Sequence, residues 1–237
     1  MPDTFGKIMR DAVQGHDSSY IIERDDGFIR NTSGLQYIRK FDEWPRVEQL
    51  AVEEMEGPVL DIGCGVCRVG EILVERGLEY YGIDTSPLAI EISRKRGFNN
   101  VYEMSADKLV LPHSYFKTVV LFGNNFRLMG QPEGVVRMLR GFHDVTTDDA
   151  KILGGSIDPL ETGEEIHLKY HEMNREAGNP PGLVRLRNKY KGDIDDWWYL
   201  LLCTKELMKE LGEQAGWYLE KTIGEPKYYV GILKKTH

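Results

Sequence analysis

The residues best placed to do chemistry lie together in VLDIGCGVCRVG, a stretch that begins at Val59. Cys64 and Cys67 form a C-x-x-C, the spacing of a redox dithiol or of half a zinc site. Gly63 and Gly65 give the same stretch a second reading, an apolar strand that runs into a glycine-rich loop and then a helix. Glycine there permits positive φ and close approach of a ligand to the backbone, and the first amides of the helix face that ligand. The thiol reading fits loosely. A zinc site usually needs four ligands, and only Cys203 remains as a further thiol, with no paired-histidine motif beside it. The loop reading makes a further demand: an acidic residue at the end of the next strand, to accept ribose hydroxyls. Asp84 meets it, 21 residues after Gly63.

Two ligand classes share this geometry. A dinucleotide fingerprint, G-x-G-x-x-G, needs a glycine where the chain has Arg68. The pattern D-x-G-x-G-x-G is met by Asp61, Gly63 and Gly65, with Cys67 at the third glycine position. Here the chain resembles the class I S-adenosylmethionine-dependent methyltransferases. The likeness is close over VLDIGCGVCRVGEILVERGLEYYGIDTSPLAI and looser through SADKLVLP and FKTVVLFGNN. It implies S-adenosylmethionine as cofactor. Asp61, Gly63, Cys64 and Gly65 would hold its methionine portion, with Asp61 near the ammonium group. Asp84 would bind the ribose hydroxyls, with Thr85 beside it. Asp107 would meet the adenine amino group with Ala106 nearby, and Phe122 to Asn124 would border the methyl donor. Each acidic residue also has a plainer reading. Asp61 could cap a turn, Asp84 could enter a helix, and Asp107 sits in common surface sequence; Asn124 and Asn125 could form a simple turn.

Methyl transfer from a sulfonium is an in-line displacement with an activated leaving group, so positioning matters more than a dedicated base. No catalytic residue is assigned. His113, His143, His167, Tyr170 and His171 are available. His167 and His171 are four apart, but EIHLKYHEM reads as β-like and lacks an H-E-x-x-H pattern, so no metal site is expected. Arg185, Arg187 and Lys189 alternate along an expected strand and share one face, which either is solvated or meets an anion. Trp197 and Trp198 either line a pocket or pack.

The elements that must hold these residues alternate. PVLDIG, EYYGID, NVYEM, FKTVVLFG and AKILGGSI read as strands. EWPRVEQLAVEEMEG, VCRVGEILVERG, SPLAIEISRKRG and PEGVVRMLRGFHDV read as helices, with Ser86 as a cap ahead of Pro87. TKELMKELGEQAG, capped by Thr204, precedes a closing hairpin of WYLEKTIG and KYYVGILKK. The expected fold is α/β: a doubly wound, mostly parallel, seven-stranded Rossmann-like sheet, with a β-rich insertion before the last helix. Residues 1–45 read as an N-terminal lid or substrate segment. Residues 46–237 read as the core, with the insertion at about 160–202 lying over the sheet's C-terminal edge, where ligands bind.

Whole-chain properties narrow the function. The 237 residues carry a formal net charge of -8, which disfavours a phosphate backbone as partner. Three cysteines suit a reducing compartment. The first residues lack the apolar core of a signal peptide, and no apolar run reaches membrane-spanning length. The expectation is a cytoplasmic methyltransferase with a small-molecule acceptor and no nucleic-acid or membrane partner. The rivals are an NAD-type oxidoreductase, opposed by Asp61 and Arg68, and a non-catalytic cofactor-binding protein. The oligomeric state is left open.

Overall fold

The computed structural model describes residues 3–236, Arg127 by its backbone alone. In chain order its elements are α1 (Thr4–Val13), β1 (Ser19–Arg24), β2 (Ile29–Ser33), α2 (Arg46–Val52), β3 (Val59–Ile62), α3 (Arg68–Glu75), β4 (Tyr80–Asp84), α4 (Pro87–Lys95), β5 (Val101–Glu103), β6 (Phe116–Leu121), α5 (Pro132–Val145), β7 (Thr146–Ile157), α6 (Glu165–Glu176), β8 (Leu183–Tyr190), β9 (Asp193–Ile194), β10 (Trp198–Leu201), α7 (Lys205–Gln214), β11 (Trp217–Gly224) and β12 (Tyr228–Lys235). Short 3₁₀ turns occupy Gly34–Tyr37, Phe41–Glu43 and Asn125–Arg127.

Seven strands form one sheet in the order β11-β12-β7-β6-β3-β4-β5. The five strands from β7 to β5 are parallel, and β12 and β11 add antiparallel at one edge. This is the expected mostly parallel α/β sheet. Its centre is apolar because both faces are covered: all four residues of β3 are buried. One face carries α5 and α7. The inward residues of α5 (Val135, Met138, Leu139, Phe142 and Val145) recur every three or four positions, the stripe that lays a helix on a sheet. The other face carries α2 and α3. Thr204 caps α7 by accepting from the Leu207 amide, as its sequence suggests. Strand order reverses between β4 and β6 on either side of β3. The loops after β3 and β6 therefore part and leave a crevice at the sheet's C-terminal edge.

A second, antiparallel sheet has the order β10-β8-β1-β2, with β9 paired to β8. It joins the N-terminal hairpin to strands from the segment between β7 and α7. The hairpin β1–β2 and the helix α1 are not evident in the sequence, where residues 1–45 show no clear periodicity.

One expectation is corrected. Residues 165–176 form a helix, α6, and not a β-like segment. Ile166, Leu168 and Tyr170 alternate as in a strand, but Ile166 and Leu168 are exposed. The residues turned inward are His167, Tyr170, His171 and Asn174, a helical i, i+3, i+4, i+7 set. The run has no β-branched residue after Ile166 and is rich in Glu, Lys, Leu and Met, which favour helix. The segment between β7 and α7 thus holds a helix as well as strands. Of the stretch EWPRVEQLAVEEMEG, expected to be helical, only Arg46–Val52 forms the helix α2, with Pro45 at its N-cap.

Candidate functional site

The crevice is built from the loop after β3. Gly63 and Gly65 both adopt left-handed backbone, with φ of 70° and 53°, a region open to glycine at little steric cost. The amides of Gly63 and Cys64 donate to the Ile83 carbonyl at 2.8 and 3.0 Å, which ties the loop to β4. A Cβ on Gly63 would lie 2.6 Å from Asn125 Nδ2. That Asn125 amide donates to the Ile62 and Gly63 carbonyls at 2.9 and 3.1 Å. Asn125 is therefore more than a simple turn residue: it fixes the β6 loop against the glycine loop.

The two cysteines have separate backbone roles. Cys64 packs on Gly82, where a Cβ would meet its sulfur at 2.9 Å. Cys67 is fully buried, and its amide donates to the Cys64 carbonyl at 2.9 Å, closing the turn into α3. Its φ is 64°, so the third glycine position of the pattern here holds a side chain on left-handed backbone. Cysteine is small enough to pack there.

Two carboxylates flank the loop. Asp61 is buried in β3 and accepts from the Tyr80 hydroxyl at 3.0 Å. Burial pushes its pKa up to about 7, against the opposing effects of that hydrogen bond and of Arg68. Asp84 ends β4. It accepts from the Gly65 amide and the Ser86 amide, each at 2.9 Å, so one side chain spans the glycine loop and the start of α4. Burial also raises the Asp84 pKa, despite these amides. Thr85 follows it, exposed. The Met104 amide donates to the Asp84 carbonyl at 3.0 Å, which brings the chain after β5 alongside. Ala106 is buried there, while Asp107 is exposed and takes the Ser105 hydroxyl at 2.5 Å. Phe122 is buried after β6, and Asn124 has left-handed backbone, φ 73°. All ten sequence-predicted residues thus lie at the same C-terminal edge. Asp84 is bonded to the loop, Asp61 is bonded to Tyr80 of the neighbouring strand, and Asp107 stands outside both.

Two groups of residues at this edge escape the sequence reading. Glu48 of α2 is buried. It pairs with Arg68 at 2.8 Å, accepts from the Gly123 amide at 3.1 Å and takes the Tyr228 hydroxyl. Arg68 also lies over the Trp44 ring, 4.2 Å from its centroid. One glutamate therefore links α2, α3, the β6 turn and β12. Arg68 at a position where a dinucleotide site has glycine is the only trace of this in the sequence. The second group is α1. Asp3 caps α1 through the Gly6 amide and also accepts from the Ser86 hydroxyl and the Leu88 amide at 2.8 and 3.1 Å. This pins α1 beside Asp84. Met9 then reaches the loop: a Cβ on Gly65 would be 3.0 Å from its sulfur.

The histidines stand elsewhere. His167 Nδ1 lies 3.0 Å from an Arg24 nitrogen, and burial and Arg24 together lower its pKa. An imidazole that accepts from a guanidinium is neutral and committed. His143 is 2.9 Å from the Ala215 carbonyl, at the far side of α5.

The buried carboxylates fit a cationic, hydroxyl-bearing ligand. Burial holds each above its ordinary pKa, and a ligand ammonium beside Asp61 and ribose hydroxyls on Asp84 would favour the charged forms. The glycines let the loop take left-handed backbone with Asn125, Leu128 and Met9 packed close against it.

Residues 59–149 match the sequence model of the methyltransferase-domain family. Among solved structures, the chain is similar to an S-adenosylmethionine-dependent methyltransferase from Bacteroides fragilis, solved with S-adenosylhomocysteine. They share 20% identity, with 99% of this chain and 95% of that one covered and a TM-score of 0.83. It is also similar to the CcbJ methyltransferase from Streptomyces caelestis (16% identity, 85% and 98% covered, TM-score 0.60). A methyltransferase from Methanosarcina mazei gives 15% identity, 79% and 97% covered, and a TM-score of 0.64. The similarity to these structures shows the fold, that of the S-adenosylmethionine-dependent methyltransferases, and the matched methyltransferase domain spans the glycine loop, β4 and β6. No helix among the described residues is long and apolar enough to cross a membrane.

Proposed function

We propose that this chain is an S-adenosylmethionine-dependent methyltransferase that acts on a small-molecule acceptor held above the glycine loop, with α1 and the second sheet as its lid. The observation that carries the reading is the enclosure of the crevice. Trp198 of β10 stacks edge-on against Phe5 of α1, with ring centroids 6.4 Å apart. The next residue, Tyr199, packs on Gly130 beyond the β6 loop, where a Cβ would be 2.9 Å from it. One edge strand thus bridges both walls, a roof suited to a small guest and ill suited to a duplex or a folded chain. The acidic surface supports the same choice.

S-adenosylmethionine, when bound, supplies a methyl group on a positively charged sulfur, so the leaving group needs no further activation. The chain's own residues then bind and orient. Asp61 and the loop Gly63–Gly65, with Cys64, hold the methionine end. Asp84, with Thr85 beside it, takes the ribose hydroxyls. Ala106 and Asp107 meet the adenine, and Phe122 and Asn124 border the reacting carbon. The lid excludes water and holds the nucleophile in line. Residues 1–45 and about 160–202 make that lid, and the remainder is the core.

A screen with methyl-labelled S-adenosylmethionine tests the acceptor class. Label should pass to members of a small-molecule library and not to RNA, DNA or protein. Transfer to a macromolecule alone would overturn the reading.

A further inference from the structure

We propose that Arg185 is the anion-binding residue of the acceptor site, and that the acceptor carries a carboxylate. This deepens the small-molecule reading above and rests on it. Three cations alternate along β8, and their surroundings separate them. Glu23 of β1 pairs with Arg187 at 2.6 Å and with Lys189 at 2.7 Å, so one acid neutralises both neighbours. Arg185 has no such partner. Among the described residues it makes no ion pair, and its Nε is buried with no acceptor. A buried guanidinium nitrogen left unbonded is costly unless a ligand completes it.

The strand register shows which way this side chain faces. Arg185 is paired with Tyr199, and Leu183 with Leu201, across β8 and β10. Residues opposed in this way share one face of the sheet. Leu183 and Leu201 on that face are buried in the main core with Phe126 and Val135. The face therefore looks toward the β6 loop. Tyr199 continues it onto Gly130, and Leu128 just before lies 3.1 Å from where a Gly63 Cβ would be. A continuous path of contacts thus leads from the glycine loop through Leu128 and Gly130 to Tyr199 and Arg185.

The surroundings suit a flat anion. The Arg185 guanidinium carbon lies 5.6 Å from the Trp197 ring centroid and 5.8 Å from that of Tyr199. Two rings thus adjoin the guanidinium, Trp197 being shared with Arg187 at 4.4 Å, and its planar donor fork is of the kind that matches the two oxygens of a carboxylate. A phosphate dianion would call for more than one free cation, and Arg187 and Lys189 are already neutralised.

The test is a titration of the S-adenosylhomocysteine-loaded protein, read by tryptophan fluorescence, since Trp197 adjoins the guanidinium. Benzoate should give a saturable change and benzamide, its neutral isostere, should not. Arg185→Gln should weaken benzoate by about 30-fold or more while S-adenosylhomocysteine affinity is unchanged, the scale expected for loss of a buried charged hydrogen-bond partner. Arg185→Lys should restore part of the binding. The proposal is overturned if benzoate and benzamide behave alike, if neither gives a saturable change, or if Arg185→Gln leaves benzoate binding intact. It is also overturned if inorganic phosphate alone saturates the site, or if Arg185→Gln loses S-adenosylhomocysteine as well, which would place Arg185 in the structural frame. A wild-type chain that binds no S-adenosylhomocysteine fails before any carboxylate is added, and that failure belongs to the cofactor site.

Discussion

Asp84→Ala is expected to weaken S-adenosylhomocysteine binding by about 100-fold, measured by calorimetry. On the proposed reading the carboxylate accepts from two ribose hydroxyls, and hydrogen bonds to a charged group are worth roughly 1.5–3 kcal/mol each. A loss of about 3 kcal/mol corresponds to about two orders of magnitude. The same carboxylate also receives the Gly65 and Ser86 amides at 2.9 Å, so its removal loosens the loop it serves. The fold should survive. Burial already holds Asp84 above its ordinary pKa, so the alanine relieves one cost while leaving two amides unpaired. The melting temperature should therefore move by only a few degrees, since about 1 kcal/mol shifts a chain of this size by roughly 2–4 °C. Unchanged affinity for S-adenosylhomocysteine would remove Asp84 from the ribose site.

Asp61→Asn should separate stability from binding in opposite directions. Burial is the main cause that raises the Asp61 pKa from 3.8 to about 7. A carboxylate whose folded pKa is raised penalises the folded state once it ionises. The penalty is absent below pH 3.8, grows as pH rises to about 7, and is constant above that. At pH 8 it is fully present, at most about 4 kcal/mol. Asparagine has nearly the same shape, can accept the Tyr80 hydroxyl and carries no charge, so the variant should melt higher at pH 8 and lose that advantage toward pH 4. Its affinity for S-adenosylmethionine should fall by about tenfold or more, because the ammonium loses its counter-ion. In the wild type, affinity should decline as pH drops below about 7, where Asp61 takes up a proton; in Asp61→Asn that contribution should vanish. Thermal melts and titrations across pH 4–8 read both effects. A variant that is less stable at pH 8 yet binds normally would contradict the assignment.

The parts of the site that were legible in the sequence are those set by local backbone. A ligand loop after a buried strand demands residues that tolerate positive φ, and Gly63 and Gly65 declare it. The offset to Asp84 follows because one helix and one strand separate two parallel neighbours. The mostly parallel strand–helix alternation of the large sheet was legible for the same reason, since each strand–helix unit is built from nearby residues; the strand order came from the structure. The lid was not. β1 pairs with β8, far along the chain, and neither strand has a periodic pattern strong enough to reveal the partner. In α6, alternation of Ile166, Leu168 and Tyr170 imitates a strand, and only the contacts of His167, Tyr170 and Asn174 with Arg24, Asp25 and the Leu183 carbonyl show the helical face. Glu48 looked like any acid on a helix, yet it is buried against Arg68 and Gly123. Its importance arises from four elements meeting, which no single segment records.

The central claim is that the crevice between the β3 and β6 loops is built for S-adenosylmethionine. The measurement that bears on it most directly is a calorimetric titration of the wild-type chain with S-adenosylhomocysteine, run beside an identical titration with NAD. Saturable one-to-one binding of S-adenosylhomocysteine and none of NAD is the predicted result. Tight binding of NAD with no response to S-adenosylhomocysteine would contradict the account.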